Sequence, residues 1–402
     1  MRLFRIPVLV AALGYLVDMY DLFLFTIVRV PSLKSLGVAG SQLLGSGVLL
    51  LNLQMAGMLI GGLVWGILGD KKGRLSVLFG SILIYSLANI GNGFVSTVTG
   101  YAVMRFIAGF GLAGELGVGV TLVVESLPKN LRGYGTTIVA TMGVFGALLA
   151  YLITHLFLWR AAYFIGGGLG LLLMILRIRV FESGIFLHLK NSAVKRGDIR
   201  MLVNDKTRFL RYINSILIGM PIWFIAGILI TFSPEFGDAM KIGRPIDAGE
   251  AVLFTFGAQV GGNILSGVLS QYFKSRKKAI LVFLLCALLA VLFYLLFPFR
   301  SPALFYLTCA ALGFFGGYWT LFITVAAELF GANLRATVAT TVPNFVRSTV
   351  IPLTALFVLL KGHIGIIHSA LTIALGTFGI AIFALFHLQE TFEKDMADIE
   401  SE

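Results

Sequence analysis

The stretch Gly14–Val28, GYLVDMYDLFLFTIV, is apolar apart from Asp18, Asp21 and Thr26. In a helix, residues three apart lie on the same face, one turn from each other. A charge at the centre of a bilayer costs several kcal/mol, so an acid within a membrane span is a candidate functional group. The first question that the sequence raises is why one turn of helix carries two of them.

The composition of the chain is that of a membrane protein. Of its 402 residues, 58% are hydrophobic and 12% are charged, whereas soluble domains carry about 25% charged residues. A soluble fold of this length could not cover so much apolar surface, because part of every globule faces water. The two cysteines, Cys286 and Cys309, give neither a disulfide framework nor a metal-binding spacing.

Twelve apolar segments are each long enough, at roughly 20 residues, to cross a bilayer. Each is expected to be helical, because lipid cannot satisfy the hydrogen bonds of an open backbone. The first apolar run is too long for a signal peptide and lacks its cleavage site, so we interpret it as a retained span. The predicted spans are 6–28, 46–69, 75–95, 98–124, 134–157, 161–180, 209–232, 249–271, 279–297, 302–327, 337–360 and 366–388.

Lysines and arginines are unevenly distributed between the two sides of these spans. With both termini on one side, 22 basic residues fall in segments on that side and 7 on the other. By the positive-inside rule the richer side is cytoplasmic, and its basic residues face anionic lipid. The net charge of +12 therefore does not require nucleic acid as a partner. We expect a multi-pass protein of the inner or plasma membrane with both termini in the cytoplasm.

One polar stretch divides the chain into two sets of six spans. The predicted domains are an N-terminal six-helix bundle at 1–180, a cytoplasmic linker at 181–208, a C-terminal six-helix bundle at 209–388 and a cytoplasmic tail at 389–402.

An internal repeat supports this division. ESLPKNLRGYG before span 5 is echoed by ELFGANLRATV before span 11, so that Glu125 and Arg132 match Glu328 and Arg335 at one offset of 203 residues. Parallel halves of this kind are a transporter architecture, in which the substrate site lies between the halves near the middle of the membrane.

The segment between spans 2 and 3, GILGDKKGRLSVL at 66–78, carries a recognisable motif. Asp70, Gly73 and Arg74, with Gly66 and Leu68, fit the pattern G-x-L-x-D-R-x-G-R-R of the major facilitator superfamily, although Lys71 and Leu75 depart from it. Span 4, RFIAGFGLAGELGVGVTLVVESLPKNLRG, resembles sugar porters, metabolite–proton symporters and sialic acid porters. The resemblance covers the whole chain. It implies an all-α membrane protein with twelve transmembrane helices in two pseudo-symmetric six-helix bundles.

The same resemblance implies an inner gate at the cytoplasmic side. Asp70 would pair with Arg132, and Arg74 with Glu125, when that side is closed. The second copy of the motif, SQYFKSRKK, lacks the aspartate, so a counterpart gate there is weaker or depends on the last two residues of the set. The predicted gate residues are Asp70, Arg74, Glu125, Arg132, Glu328 and Arg335.

Asp21 and Arg105 are predicted to form a proton-coupling pair. Each lies seven residues from the outer end of its span, so both are about 10 Å below the outer boundary. In the superfamily spans 1 and 4 are neighbours, and sugar porters also have an acid and an arginine there. A carboxylate stays ionised beside a guanidinium and takes a proton when that partner leaves a dry site. Asp18 and Glu115 are predicted to assist. The alternatives are an ion pair that only joins two helices, and Na⁺ coordination by Asp18 and Asp21.

Arg347 is predicted to bind the negative group of a substrate. It lies about 16 Å from the inner face, between Pro343 and Pro352, and no acid of the second half lies at that depth. An arginine without a partner suits a carboxylate or a phosphate. The alternative is an ion pair across the cavity with Asp18 or Asp21.

Polar and aromatic residues at similar depths complete the predicted substrate site. Each taken alone also fits a role in helix packing. Span 7 lacks the paired glutamines of hexose carriers, which argues against a sugar. The predicted residues are Gln54, Trp223, Gln259, Asn263, Tyr318, Trp319 and Asn344.

The sequence therefore predicts a secondary transporter that takes up a small anionic or zwitterionic metabolite with protons, by alternating access. No enzyme activity, cofactor or metal is expected, because neither a catalytic set nor a phosphate-binding glycine loop is present. We expect a monomer. The alternatives are proton-driven efflux and a sugar or nucleoside carrier of the same fold. A membrane sensor would need a signalling domain, for which the linker and the tail leave no room.

Overall fold

The computed structural model describes residues 6–40, 42–127, 132–179, 200–331 and 334–392. All regular structure in these ranges is helical. Eleven helices of the described residues are long and apolar enough to cross a membrane. The predicted all-α membrane fold is therefore confirmed.

Seven helices precede residue 180, and nine more are described after it. The first seven are α1 (Ile6–Ser35), α2 (Gln42–Lys72), α3 (Arg74–Phe94), α4 (Val98–Leu112), α5 (Glu115–Ser126), α6 (Arg132–Leu156) and α7 (Trp159–Leu176). The others are α8 (Arg200–Val203), α9 (Lys206–Phe224), α10 (Ser233–Ala239), α11 (Ala248–Tyr272), α12 (Arg276–Leu296), α13 (Pro302–Gly316), α14 (Trp319–Glu328), α15 (Arg335–Ser348) and α16 (Val350–His387).

The difference between eleven observed and twelve predicted spans arises at one glycine. The last membrane-spanning candidate is a single stretch of 51 residues, Thr337–His387. At 1.5 Å per residue it is roughly 75 Å long, more than twice the thickness of the hydrocarbon layer. Its backbone leaves the helical conformation at Gly365, with φ 78° and ψ 169°. A positive φ favours glycine, so predicted spans 11 and 12 meet where the sequence places their boundary.

Side-chain caps fix where several helices begin. Thr97 accepts a hydrogen bond from the backbone of Gly100 at the start of α4, and Asp247 does the same for Glu250 at the start of α11. Ser275 caps α12 in the same way. Such caps satisfy backbone donors that have no partner within the helix.

Spans 4 and 10 are both broken near their middle. Span 4 is interrupted between α4 and α5 at Ala113 and Gly114, and span 10 between α13 and α14 at Gly317 and Tyr318. The two breaks lie at corresponding places in the two halves, within one residue of the offset of the internal repeat. Span 7 also departs from an α-helix, because a π-helix covers Ile225–Ile230. Interrupted helices in transporters line the binding site, where free backbone groups face a cavity.

One very close crossing of two helices occurs at corresponding places in both halves. A Cβ atom built on Gly109 of α4 would lie 2.1 Å from the carbonyl oxygen of Gln54 on α2. In the second half, a Cβ atom on Gly313 of α13 would lie 1.8 Å from the carbonyl oxygen of Thr255 on α11. Small residues allow membrane helices to approach in this way, and the two crossings repeat the pseudo-symmetry of the fold.

The terminal face is the end at which α1 begins and α16 ends, and the opposite face is the other end. The first half comprises the described residues up to 179, and the second half those from 200 onward.

Candidate functional site

Asp21 and Arg105 form the predicted contact between spans 1 and 4. Nη1 of Arg105 lies 3.3 Å from Oδ1 of Asp21, and both side chains are fully buried. Nη2 of Arg105 also lies 3.4 Å from the backbone carbonyl oxygen of Asp21. The rings of Phe25 and Tyr163 lie 5.3 and 5.7 Å from the guanidinium carbon. The pair is therefore held within the first half, between α1 and α4.

Asp18, one turn from Asp21, points across to the second half. Its Oδ2 lies 3.3 Å from Nη2 of Arg347 on α15, and both side chains are buried. The structure therefore does not leave Arg347 unpaired, and the ion pair across the cavity, which the sequence left as an alternative, is formed. The reason is that the neutralising acid comes from the first half, whereas the sequence argument compared depths only within the second.

Glu115 has a partner that the sequence did not assign to it. Arg177, which follows α7, donates to both carboxylate oxygens of Glu115 at 2.9 and 2.6 Å. The hydroxyl of Ser81 donates to the same carboxylate at 2.9 Å. Gly14 of α1 leaves room for this pair, because a Cβ atom there would lie 2.1 Å from Nη2 of Arg177. Short, two-pronged contacts of this kind characterise a strong ion pair.

The six charges at the centre balance. The sequence places one arginine against two or three acids and infers an excess of negative charge. Arg177 and Arg347 correct that inference, because each of the three acids has its own arginine.

Aromatic rings surround the Asp18–Arg347 pair. The ring of Trp223 lies 5.7 Å from the guanidinium carbon of Arg347, with Phe23 stacked against it at 6.3 Å. Trp319 meets Trp223 edge to face at 6.4 Å. Across the halves, the indole N–H of Trp319 donates to the hydroxyl of Tyr15 at 3.0 Å. The centre is thus one arginine in an aromatic enclosure to which both halves contribute.

Asn344 joins Arg347 to the break in span 4. Its amide nitrogen donates to the carbonyl oxygen of Ala113 at 2.9 Å, and Nη1 of Arg347 lies 3.4 Å from its amide oxygen. Asn344 therefore links the predicted anion site to the backbone of the other half.

The remaining predicted site residues differ in their surroundings. Both amide atoms of Gln54 and of Asn263, the amide oxygen of Gln259 and the indole nitrogen of Trp223 are buried without a hydrogen-bond partner among the described residues. These atoms are suited to meet a ligand or water. The hydroxyl of Tyr318, in contrast, donates to the carbonyl oxygen of Ile218 at 3.0 Å, which indicates a packing role.

At the terminal face, Asp70 of the motif caps a helix of the other half. Its Oδ2 accepts hydrogen bonds from the backbone N–H and the hydroxyl of Thr337, at 2.8 and 2.7 Å. Thr337 lies in the first turn of α15, where a carboxylate is stabilised by the helix dipole. Oδ1 of Asp70 lies 3.4 Å from Nη2 of Arg74. The side chains of Glu125 and Arg132, the predicted partners, lie outside the described residues.

The second half has its own charged contacts at this face. Glu328 pairs with Arg276 at 3.2 Å. Burial raises the pKa of Glu390, but hydrogen bonds from the Ser275 hydroxyl and from the backbone of Arg276 outweigh it and hold that pKa below its usual value. Arg335, the predicted partner of Glu328, is buried at the start of α15.

At the opposite face, Arg29 of α1 closes the contact between the halves. It lies beyond the predicted end of span 1, but α1 continues to Ser35 and the side chain is fully buried. Its Nη2 lies 2.8 Å from Glu235 of α10 and 3.2 Å from the carbonyl oxygen of Thr231. The halves therefore touch on both sides of Asp18 and Arg347, and the centre is occluded in this conformation.

Sequence reasoning missed Arg177, Arg29 and Glu235. Arg177 is one of the 22 basic residues on the cytoplasmic side of the predicted spans, because its Cα lies near the end of span 6. The sequence feature that could have revealed Arg177 is Glu115, an acid deep in span 4 without an arginine at its own depth. A long arginine side chain reaches well beyond the depth of its own Cα.

Comparison with known proteins agrees with this architecture. The chain is 24% identical to a probable 4-methylmuconolactone transporter of Cupriavidus pinatubonensis over 94% of this chain and 89% of that one. It is 22% identical to a benzoate transport protein of Acinetobacter baylyi, covering 82% and 78%. The solved proton:xylose symporter XylE of E. coli superposes with a TM-score of 0.76 at 17% identity, covering 98% of each chain.

The family assignment follows from a further match. Residues 11–351 match the family model of the Major Facilitator Superfamily. The family and the relatives are transporters and not enzymes. The chain is thus a multi-pass membrane transporter and belongs to the Major Facilitator Superfamily.

Proposed function

We propose that this transporter takes up a small organic acid, as its carboxylate, together with protons. The observation that carries the proposal is the group of ion pairs at the centre, where Asp21–Arg105 and Asp18–Arg347 are buried between the points at which the two halves touch. Charges that are expensive to bury are retained within a membrane where they serve transport.

Proton coupling is supported by the geometry of Asp21 and Arg105. Their contact, at 3.3 Å, is longer than the roughly 2.7–2.9 Å of a strong charge-assisted hydrogen bond. A loose pair separates at a low cost when the helices shift, and the buried carboxylate then takes a proton. Alternating access exposes Asp21 to one side of the membrane at a time. Binding a proton on one side and releasing it on the other then couples transport to the proton gradient.

An organic anion as substrate is supported by Arg347 and its aromatic neighbours. A guanidinium pairs well with a carboxylate, and flat rings offer a stacking surface beside it. Two relatives are named for the transport of benzoate and of 4-methylmuconolactone. The likeness to a xylose symporter, at 17% sequence identity, concerns the fold and does not indicate a sugar as substrate.

Orientation and gating complete the proposal. The positive-inside rule makes the terminal face cytoplasmic in an inner or plasma membrane, with the linker 181–208 and the tail 389–402 on that side. Asp70 on Thr337 then holds the cytoplasmic side closed, and Arg29 on Glu235 the outer side. All the pairs form within one chain, so a monomer suffices.

The test uses the purified protein in proteoliposomes with a known pH gradient. Benzoate, nicotinate, sialic acid, xylose and uridine are first compared as stabilisers in thermal unfolding, because a ligand raises the stability of the state that binds it. Stabilisation by xylose or uridine alone would contradict the choice of a carboxylate. Accumulation of substrate inside the vesicles only when their interior is the more acidic side would show proton antiport, and therefore efflux instead of uptake.

The coupling role of Asp21 gives the decisive variant. We expect Asp21→Asn to retain exchange of labelled substrate across the membrane and to lose accumulation driven by a pH gradient. The amide keeps the shape of the side chain but cannot bind and release a proton. Proton-driven accumulation at the wild-type level in this variant would rule the role out.

A further inference from the structure

We propose that Asp18 occupies the anion site of Arg347 when no substrate is present, and that an arriving carboxylate displaces it and makes it bind a proton. This inference rests on the proposed function and assigns the proton-binding group of one step, the binding of substrate. Asp18 then makes transport selective for anions, because only a negative group can replace it.

The geometry of the three central ion pairs separates a fixed pair from exchangeable ones. Glu115 receives two hydrogen bonds from Arg177, at 2.9 and 2.6 Å, and one from Ser81. Asp18 receives one contact, at 3.3 Å, from Arg347. Oδ1 of Asp18 and Nε of Arg347 are buried without a partner among the described residues. The Asp18–Arg347 pair thus leaves unused hydrogen-bonding capacity on both sides, which a bidentate carboxylate on Arg347 would fill.

The position of the pair also favours exchange. Asp18 belongs to α1 and Arg347 to α15, so the contact crosses the boundary along which the halves move. Glu115–Arg177 and Asp21–Arg105 each lie within the first half, so the movement of one half against the other does not by itself part them. Asp21 and Arg105 separate only when α1 and α4 shift against each other within that half. Among the three central pairs, the one between Asp18 and Arg347 is therefore the one that changes when the halves rearrange around a substrate.

The charge balance requires a proton once the substrate is bound. Asp18 is within electrostatic reach of Arg347 on α15, Glu115 on α5, and Asp21 on its own helix, and Tyr15 lies one turn before it. The three acids and three arginines balance before binding. A carboxylate adds one negative charge and takes Arg347 away from Asp18. An unpaired buried anion is strongly destabilised, so Asp18 takes up one proton and the net charge returns to zero.

The test measures the protons taken up when a carboxylate binds. Isothermal titration of the full-length protein in detergent, in two buffers with different ionisation enthalpies, gives that number directly. The probe is benzoate or nicotinate, whichever binds more tightly, between pH 6 and 8, where both are carboxylates. We expect uptake of up to one proton in the wild type, and an affinity that falls by up to about tenfold per pH unit as the pH rises.

Two variants assign the proton. In Asp18→Asn we expect no proton uptake, an affinity independent of pH, and tighter binding than the wild type at pH 8, because Arg347 has lost its competing carboxylate. Asp238→Asn is the control, because it removes an exposed carboxylate far from the central ion pairs, and it should keep the proton uptake. Wild-type proton uptake in Asp18→Asn, or its loss in Asp238→Asn, would overturn the inference while leaving the proposed function standing.

A neutral ligand provides a test without mutation, should Asp18→Asn fail to fold. Benzamide or nicotinamide has the same ring but cannot displace Asp18, so it should bind without proton uptake or not bind at all. Proton uptake equal to that of the acid, or binding of the acid without any, would contradict the inference. If no carboxylate of the panel binds the wild type, the proposed function itself fails.

Discussion

Individual residues of the first stretch connect to three separate parts of the molecule. Asp21 contacts Arg105 within the first half, and Asp18 contacts Arg347 in the second. Gly14, one turn before Asp18, leaves the space that Arg177 occupies. The helix therefore tolerates its acids because each meets an arginine. From the difference in contact distance we propose a structural role for the Glu115 pair and transport roles for the two aspartate pairs.

A structural role for the Glu115–Arg177 pair predicts that Gly14→Ala is destabilising. The new Cβ atom would lie 2.1 Å from Arg177 and 2.7 Å from Glu115, so the pair must shift. Overpacking of this kind costs about 1–3 kcal/mol, and we expect a lower melting temperature in detergent.

The control for this prediction is Gly168→Ala on α7, where a Cβ atom would meet nothing within 4 Å. Alanine favours a helix over glycine by about 1 kcal/mol, so this variant should be as stable as the wild type or more stable. Equal melting temperatures of the two variants would contradict the assignment.

At the scale of helices, the terminal face is closed by α5 and α15. A Cβ atom on Gly117 of α5 would lie 2.3 Å from the Cα atom of Thr340 on α15. Backbone cannot move aside as a flexible side chain can, so this glycine sets how closely the two halves approach. Asp70 caps the beginning of the same helix α15, and the two contacts act together.

The close approach at Gly117 predicts that Gly117→Ala opens the terminal face. Thr340 is buried in the closed state. We expect a cysteine introduced as Thr340→Cys to react faster with a maleimide that does not cross membranes when Gly117→Ala is present than when it is absent. The protein would carry Cys286→Ser and Cys309→Ser, and the reagent would be applied to inside-out vesicles.

Gly119→Ala is the matched control on the same helix. Its Cβ atom would meet Ala11 at 3.5 Å, which is an ordinary contact, so the labelling rate should not change. If Gly117→Ala labelled no faster than this control, closure would not depend on the contact between α5 and α15.

At the scale of the whole molecule, the two halves are held together at both faces and through the centre. Asp70–Thr337 closes the terminal face, Arg29–Glu235 the opposite face, and Asp18–Arg347 lies between them. Alternating access requires the contacts at one face to break while those at the other remain. The stability of each closed face therefore sets the population of the state open to the other side.

We expect the loss of the Arg29–Glu235 ion pair to shift the conformational equilibrium towards the state that is open at the opposite face. Glu235→Gln leaves Arg29 without its counter-charge and destabilises the closed state of this face. If that state loses about 1 kcal/mol of stability, the ratio of the open to the closed state rises about fivefold. Ile27 of α1 lies against Gly249 of α11 in the second half, where a Cβ atom would be 3.1 Å from its Cγ2. We expect Ile27→Cys, in the cysteine-free background, to be labelled correspondingly faster by the same reagent applied to intact cells.

Asp238→Asn tests whether this effect is specific. It removes an exposed carboxylate from the same short helix α10, so it changes the local charge but not the ion pair. Equal labelling in Glu235→Gln and Asp238→Asn would show that the pair does not hold this face closed.

The sequence by itself determined the membrane environment, the helical class, the position of the spans and the pairing of Asp21 with Arg105. The first three follow from the length and composition of apolar runs, which are local properties of the chain. The pairing follows from depth along a helix together with the resemblance to a family in which spans 1 and 4 are neighbours. The tertiary structure alone decided that Arg347 meets Asp18, that Arg177 meets Glu115 and that Arg29 meets Glu235. Depth places a residue along the membrane normal, but which neighbour it faces depends on how helices from both halves pack, and a long arginine side chain reaches charges far from its own Cα.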